Sequence, residues 1–410
     1  MGADYPLAGK TLDRISQLAD ISDEPGSVCR TFLSTAMARA NKLVGGWMAD
    51  LGGQVSVDGW GNLIGHFPGA ATDLPTLLLG SHLDTVPNAG KYDGPLGVLV
   101  ALASLELLAT QGVQLPFHVD IVGFSDEEGT RFHTAYLGSK ALAGLIDEHD
   151  LNLRDGQGLT VREAVAAFQG VERIALPTAR YRADQLLGYV EVHIEQGPVL
   201  EELGQPLGVV DAIAAQTRLV YTLEGRAGHA GTTPMKLRRD ALAGGAELIL
   251  AVEQLGLRTA GMVATVGQLQ VQPGASNVIP DRTRLSADIR HPERRIADEA
   301  CAQLALEAQA IASRRGLVIT HATVQSTNGV ACSSRLIQQL TQAVEKQQSS
   351  VPRLVSGAGH DGIILSRLTR VAMLFVRCKD GLSHHPDEHV DLPDIDAAIS
   401  ALTNFLQHLA

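Results

Sequence analysis

Apolar and polar positions along the chain alternate between two textures. Short continuous apolar runs read as buried strands, the clearest at 76–79, 119–124 and 371–376. Longer stretches with helical spacing predict two helices within 10–50, the second over 29–51 after the breaker Pro25-Gly26. Further helices are predicted at 95–109, where Pro95 suits the first turn and Gly112 ends the run, and at 334–347 and 395–409. Residues 54–58 alternate as a half-exposed strand, 58–62 carry turn chemistry, and 63–67 form the returning strand. His66 in that strand reads as a surface histidine without a special role. Residues 138–185 read as helical and loop-rich, with no chemical signal.

From about residue 212 the order changes. A strand at 217–223, a helix at 238–255, strands at 262–270 and 284–290, a helix at 292–315 closed by Gly316, and a strand at 317–323 follow one another. That β-α-β-β-α-β order is the ferredoxin-like unit. It interrupts an α/β alternation that resumes afterwards. The expected organisation is a discontinuous catalytic domain, 1–211 with 327–410, and an inserted domain at 212–326.

Composition bounds this picture. A length of 410 residues sets a prior of two or three domains, and 45% apolar with 19% charged residues are globular values. Net charge is 33 − 45 = −12, which argues against nucleic acid or an anionic membrane as partner. Cys29, Cys301, Cys332 and Cys378 are scattered, as reduced thiols would be. The first residues lack a basic and then apolar leader, and the longest apolar patch, around 96–109, is short and contains Glu106. A cytoplasmic, soluble protein is expected.

The candidate chemistry clusters where apolar strands end. Gly80-Ser81-His82-Leu83-Asp84-Thr85 follows one strand, and Tyr92-Asp93-Gly94 lies just ahead of a helix. His82 offers a ring nitrogen, and Asp93 offers two oxygens, enough to bridge two ions. Asp84, two residues from His82, suits an orienting carboxylate. A second strand runs into Ser125-Asp126-Glu127-Glu128-Gly129, acids placed where open α/β sheets hold their sites; a solvated loop is the plain alternative. In Glu191-Val192-His193-Ile194-Glu195 the two acids share a strand face with His193, either supporting a ligand or forming an ordinary exposed face. Further site-type stretches are Gly228-His229-Ala230-Gly231-Thr232-Thr233-Pro234, Ser276-Asn277, Asp288-Ile289-Arg290, Gly359-His360-Asp361 and Ser383-His384-His385-Pro386.

Taken together, 80–86 with 91–97, 126–132, 192–200, 228–235, 276–280, 356–362 and 382–388 resemble the M20-type co-catalytic metallohydrolases. Within them the pattern is similar to the branch of allantoate amidohydrolases, N-carbamoyl-L-amino-acid hydrolases and β-ureidopropionases. The resemblance implies a zinc-aminopeptidase-like α/β/α catalytic domain with an inserted lid and dimerisation domain, and a homodimer. It implies two divalent ions, Zn²⁺ or Mn²⁺, one held by His82 and His193, the other by Glu128 and His384, with Asp93 bridging. Three imidazoles with two carboxylates and no thiolate suit those ions. It also implies a cis peptide at Asp93–Gly94.

Glu127 resembles the general base, with the swap of Glu127 and Glu128 left open by spacing alone. The Ser-His-x-Pro order favours His384 over His385 as ligand. His229 resembles the donor to a tetrahedral oxyanion, against a plain loop histidine. Asn277 and Arg290 resemble the grip on a substrate carboxylate, with a surface strand cation as the alternative for Arg290. Gln216 and His360 resemble further substrate contacts. The expected substrate is a small ureido carboxylate. Allantoate is the first choice, from the similarity of 375–388, and an N-carbamoyl-L-amino acid the second. A peptidase and an inactive binding protein on the same fold are the readings from other classes.

Overall fold

The computed structural model describes residues 5–409. The chain forms two compact units. The first comprises the chain up to Asp211, Cys332–Ser356, and the chain from His360; the second comprises Ala212–Ala331 with Gly357–Gly359.

The first unit opens with α1 (Pro6–Ala19) and α2 (Thr35–Asp50), then β1 (Gln54–Val57), β2 (Leu63–Phe67) and β3 (Thr76–His82). Next come α3 (Pro95–Thr110), β4 (His118–Phe124) and three short helices, α4 (Leu137–Leu142), α5 (Glu148–Asn152) and α6 (Val161–Gln169). It continues with β5 (Leu186–Ile194), α7 (Val199–Glu202) and β6 (Leu207–Ile213). The second unit holds β7 (Ala215–Glu224), β8 (Gly228–His229), α8 (Ala241–Arg258), β9 (Val263–Thr265), β10 (Leu269–Gln272) and β11 (Val278–Ile279). It ends with β12 (Arg282–His291), α9 (Arg294–Arg315), β13 (Val318–Thr327) and β14 (Val330–Ala331). The first unit then resumes with α10 (Ser334–Val344), β15 (Arg353–Ser356), α11 (Gly362–Leu365), β16 (Val371–Val376) and α12 (Leu392–His408).

The sheet of the first unit runs β1-β2-β4-β3-β5-β16-β6, with β15 also paired to β6. Its centre is parallel: β3 with β4, β3 with β5, and β16 with β5. These strands are apolar on both faces and buried throughout or nearly so, as central parallel strands must be. Helix α3 is apolar all round because it is buried almost all round, against β3, β5 and α12. Gly97 lets it approach: a Cβ there would lie 2.0 Å from the Val192 carbonyl oxygen.

Register decides what the strand ends carry. His82 is opposite Phe124, so the acidic loop begins beside it. The last paired positions of β3 and β5 are Leu79 and Val190, and His82 and His193 each lie three residues further on. Phe375 is opposite His193. The carboxyl ends of the parallel strands thus bring three of the singled-out stretches to one edge.

In the second unit the sheet order is β10-β12-β7-β13, with β9 also on β12. Leu219, Tyr221 and Leu223 of β7 and Leu285, Ala287 and Ile289 of β12 share one core with residues of α8 and α9, including Leu248, Val252, Leu304 and Ala308. Strand β8 pairs with β11, placing Val278 opposite His229. Ala212–Ile213 pairs antiparallel with Val330–Ala331.

Three expectations differ from what is observed. The helix expected over 29–51 starts at Thr35, where the Ser34 hydroxyl accepts from the Met37 N–H. Residues before it are held extended instead: Arg30 N–H donates to Thr85 Oγ1 and Thr85 N–H to the Arg30 carbonyl. The strand expected over 262–270 is broken in two. Thr265 pairs with Asp288 and Leu269 with Leu285, so three residues oppose two, a bulge in which Gln268 N–H donates to Ser286 Oγ. Finally, among the described residues the one cis peptide is Gln272–Pro273; Asp93–Gly94 is trans. The turn into α3 is made by Gly94 at φ +83°, ψ −63°, a backbone state that glycine adopts freely.

Candidate metal centre

Five side chains from five segments of the first unit meet at the strand ends. His82 comes from the end of β3, Asp93 from the turn before α3, Glu128 from the loop after β4, His193 from β5, and His384 from the loop after β16. Asp93 Oδ1 lies 3.4 Å from His82 Nε2 and 3.1 Å from His193 Nε2. Asp93 Oδ2 lies 3.1 Å from His384 Nε2, which is 3.5 Å from Glu128 Oε1. Three overlapping groups, His82/Asp93/His193, His82/Glu127/Glu128 and Asp93/Glu128/His384, each have candidate ligand atoms within 4.8 Å of one another. Glu191, His193 and His360 form a fourth. Asp93 is therefore shared between the two groups that contain the three proposed histidines.

The chemistry of this donor set fits a cation. His82 Nδ1 lies 2.9 Å from the Asp84 carbonyl oxygen and His193 Nδ1 2.9 Å from the Ile194 carbonyl oxygen. A ring N–H directed at a carbonyl leaves the lone pair on Nε2. The two Nε2 atoms are 3.5 Å apart, and between them Asp93 Oδ1 is buried without a hydrogen-bond donor. Acceptors facing one another in a buried pocket are stable only around positive charge. The protonation balance has the same direction. Burial pushes the His82 ring pKa down, but Asp93, Glu127 and Asp84 outweigh it and carry it well above the ordinary value. Asp93 is pulled up by burial, yet the neighbouring rings of His193, His384 and His82 take it well below the usual carboxylate range. His384 is pushed up to about 9, first by its bond to Asp93.

Around this set lies a second ring of contacts. The Asp84 carboxylate lies 3.7 Å from His82 Nδ1, beyond hydrogen-bond reach, and its oxygens accept from the backbone N–H groups of Glu127 and Glu128 at 3.0 and 3.1 Å. Asp84 thus orients the histidine through its carbonyl and the acidic loop through its side chain. That loop is not solvated: Glu127 is buried, and burial, with repulsion from Glu128, Asp361 and Asp84, pushes its pKa well above normal. Glu191 is 0% exposed and accepts from Ser81 Oγ and Tyr189 OH, which removes the reading of an exposed charged face. Glu195 accepts from the N–H groups of Val199 and Leu200 and so serves α7 rather than His193. His385 turns away; its Nδ1 accepts from the Asp387 N–H. His360 is buried, with Nε2 2.8 Å from Ser356 Oγ and its ring 4.6 Å from that of His193.

Three residues not singled out in the sequence also hold this set. Gln196 Nε2 donates to Asp93 Oδ2 at 2.9 Å and Ser383 Oγ donates to the same oxygen at 2.7 Å. Glu388 Oε1 accepts from the N–H groups of Tyr92 and Asp93 at 2.7 and 3.0 Å. Each stands within a few residues of a ligand candidate, which was the available signal.

The other predicted site residues lie in the second unit. His229 and Asn277 are brought together by the β8–β11 pair, where Ala230 N–H donates to the Asn277 carbonyl. His229 Nδ1 accepts from Gly231 N–H, so its proton sits on Nε2 and is free to be donated. Gln216 and Arg290 are directly opposite on β7 and β12.

Residues 78–408 match the model of peptidase family M20/M25/M40. The chain belongs to peptidase family M20/M25/M40. It is 38% identical to allantoate deiminase 2 of Glycine max over 98% of this chain and 90% of that protein. It is 38% identical to the N-carbamoyl-L-amino acid amidohydrolase of Geobacillus stearothermophilus over 97% of each. Among solved structures, an amidase of the hydantoinase/carbamoylase family from Burkholderia multivorans superposes with a TM-score of 0.92 at 32% identity, covering 98% of both chains. The family is metal-dependent, and the cluster around Asp93, buried at His82 and His193 and open at His384, is a matching candidate centre. Among the described residues no helix is long and apolar enough to cross a membrane.

Proposed function

We propose that this chain is a two-metal amidohydrolase that cleaves a ureido C–N bond of a small carboxylate, with allantoate as its substrate. The observation that carries the reading is Asp93, whose two oxygens face separate histidine-containing groups, one with His82 and His193, the other with His384 and Glu128. The likeness to allantoate deiminases along nearly the whole chain supports the choice of substrate.

Divalent ions, Zn²⁺ or Mn²⁺, held by these five residues would supply Lewis acidity toward the ureido carbonyl and lower the pKa of water. Glu127 takes the proton from the attacking water and delivers it to the departing nitrogen. Burial and its acidic neighbours raise its proton affinity, which suits a group that must take up a proton and pass it on. His229 donates its Nε2 proton to the developing oxyanion. Asn277 and Arg290 bind the carboxylate, and Gln216 and His360 contribute further contacts. The carbamate released on cleavage falls to CO₂ and ammonia. A homodimer through the inserted domain and a cytoplasmic location complete the reading.

Ammonia release by Mn²⁺- or Zn²⁺-reconstituted protein tests it, with allantoate beside a panel of N-carbamoyl-L-amino acids, and with dipeptides assayed separately for released amino acids. A second reading, N-carbamoyl-L-amino-acid hydrolysis with the same residues, is favoured by the equal identity to the Geobacillus enzyme. Dipeptide cleavage without ureido cleavage would return the chain to the peptidases of its family.

A further inference from the structure

One face of the second unit's sheet is committed to the core. Ala287 and Ile289 of β12 and Leu219 and Tyr221 of β7 point there. The alternate positions Asp288 and Arg290 on β12, and Gln216 and Arg218 on β7, therefore share the opposite face. On that face one carboxylate gathers four donors. Asp288 Oδ1 accepts from Arg290 Nε at 2.9 Å. Oδ2 accepts from Arg290 Nη2 at 3.0 Å, from Arg218 Nε at 2.9 Å and from Gln216 Nε2 at 2.8 Å. Burial pushes the Asp288 pKa up, but the two guanidinium groups and Gln216 bring it below normal, so it stays ionised.

The consequence falls on Arg290. A guanidinium has five N–H bonds. Asp288 takes two, along the Nε/Nη2 side, and the Gly357 carbonyl takes one from Nη1 at 2.7 Å. The remaining N–H bonds number 5 − 3 = 2, one on Nη1 and one on Nη2. Donors on those two nitrogens match the two oxygens of a carboxylate. Without Asp288 the arginine could turn either edge outward.

We propose that Asp288 is a positioning residue that fixes which edge of Arg290 is presented, and through it sets the demand for a carboxylate on the substrate. The inference rests on the reading of Arg290 as the carboxylate grip. A contrary role is open to test: Asp288 could compete with the substrate for Arg290. The geometry opposes this, because a competitor would occupy the edge the substrate needs, whereas Asp288 holds the other one and is itself held by Gln216 and Arg218.

The experiment uses the full metal-loaded chain with allantoate and its neutral carboxamide. Asp288→Ala is expected to raise KM for allantoate tenfold or more, with kcat within threefold and KM for the carboxamide unchanged. Asp288→Glu should recover part of the loss. In an Arg290→Ala background, Asp288→Ala should add less than twofold. A fall in KM, no change, or an equal loss on both substrates overturns the proposal. If Asp288→Ala does not fold, Asp288→Asn replaces it: it keeps the shape but removes the charge, and the same selective rise in KM is expected. Should Arg290→Ala itself leave the preference for allantoate over carboxamide intact, the carboxylate-grip reading fails. A normal Arg290 effect with a silent Asp288 strikes this inference alone.

Discussion

A bridging role for Asp93, as proposed, needs both oxygens presented at once, and its neighbours show how it is held. Gln196 and Ser383 donate to Oδ2, Glu388 fixes the backbone on which the side chain stands, and Oδ1 is left facing two imidazole nitrogens. Removing the acceptor at Glu388 leaves two buried N–H groups unpaired, at a cost of about 1–3 kcal/mol. Glu388→Ala should therefore lower the melting temperature and weaken metal binding by tenfold or more, read by titrating the apo protein with Mn²⁺. Unchanged affinity would detach Glu388 from the centre. Glu127→Gln separates chemistry from binding. Turnover should fall by roughly 10²–10⁴-fold while metal content, read by elemental analysis, stays at the wild-type level. If the metal is lost as well, Glu127 is a ligand and the roles of Glu127 and Glu128 are exchanged.

The ligand candidates were readable at this scale because His, Asp and Glu stand out at the ends of apolar strands. The residues that hold them were not. Gln196 and Ser383 have side chains found on any surface, and Glu388 acts through backbone N–H groups 296 and 295 residues away. Asp84 and Glu195 were visible as acids, but which group each serves depends on loop geometry that spacing does not encode.

Elements were legible where their pattern was local. Helix α3 was bounded by Pro95 and Gly112, and α9 by Gly316 in the left-handed state. The misread start of α2 has a non-local cause, the pairing of residue 30 with Thr85. The break between β9 and β10 is a bulge set by the partner strand. The close contact of α3 with β5 gives a prediction of its own. Gly97→Ala would push a methyl into the Val192 carbonyl and against Ser81 Cβ, beside both His193 and His82. A destabilisation of about 1–3 kcal/mol in urea unfolding is expected, with weaker metal binding. A change below about 0.5 kcal/mol would mean that the helix yields freely.

For the whole molecule, the candidate metal centre joins segments distant in sequence: the ends of β3 and β5, the turn before α3, and the loops after β4 and β16. A ligand bound to the folded state alone stabilises it by mass action. Stripping the protein with a chelator should therefore lower its melting temperature and abolish ammonia release, and both should return when Mn²⁺ or Zn²⁺ is restored. Loss of activity with no thermal shift would mean that the metal does not stabilise the folded state measurably. With a balance of −12, the positive charge that the proposed anionic substrate would need has to come from local devices, and the arginines around Asp288 are candidates.

The most direct test of the account is kcat/KM for ammonia release from allantoate and from N-carbamoyl-L-amino acids, with Glu127→Gln as the blank. Allantoate should give the highest value, and the blank should be inactive. A carbamoyl amino acid winning by tenfold, about 1.4 kcal/mol in transition-state binding, would contradict the substrate assignment. Full activity in the blank would contradict the mechanism.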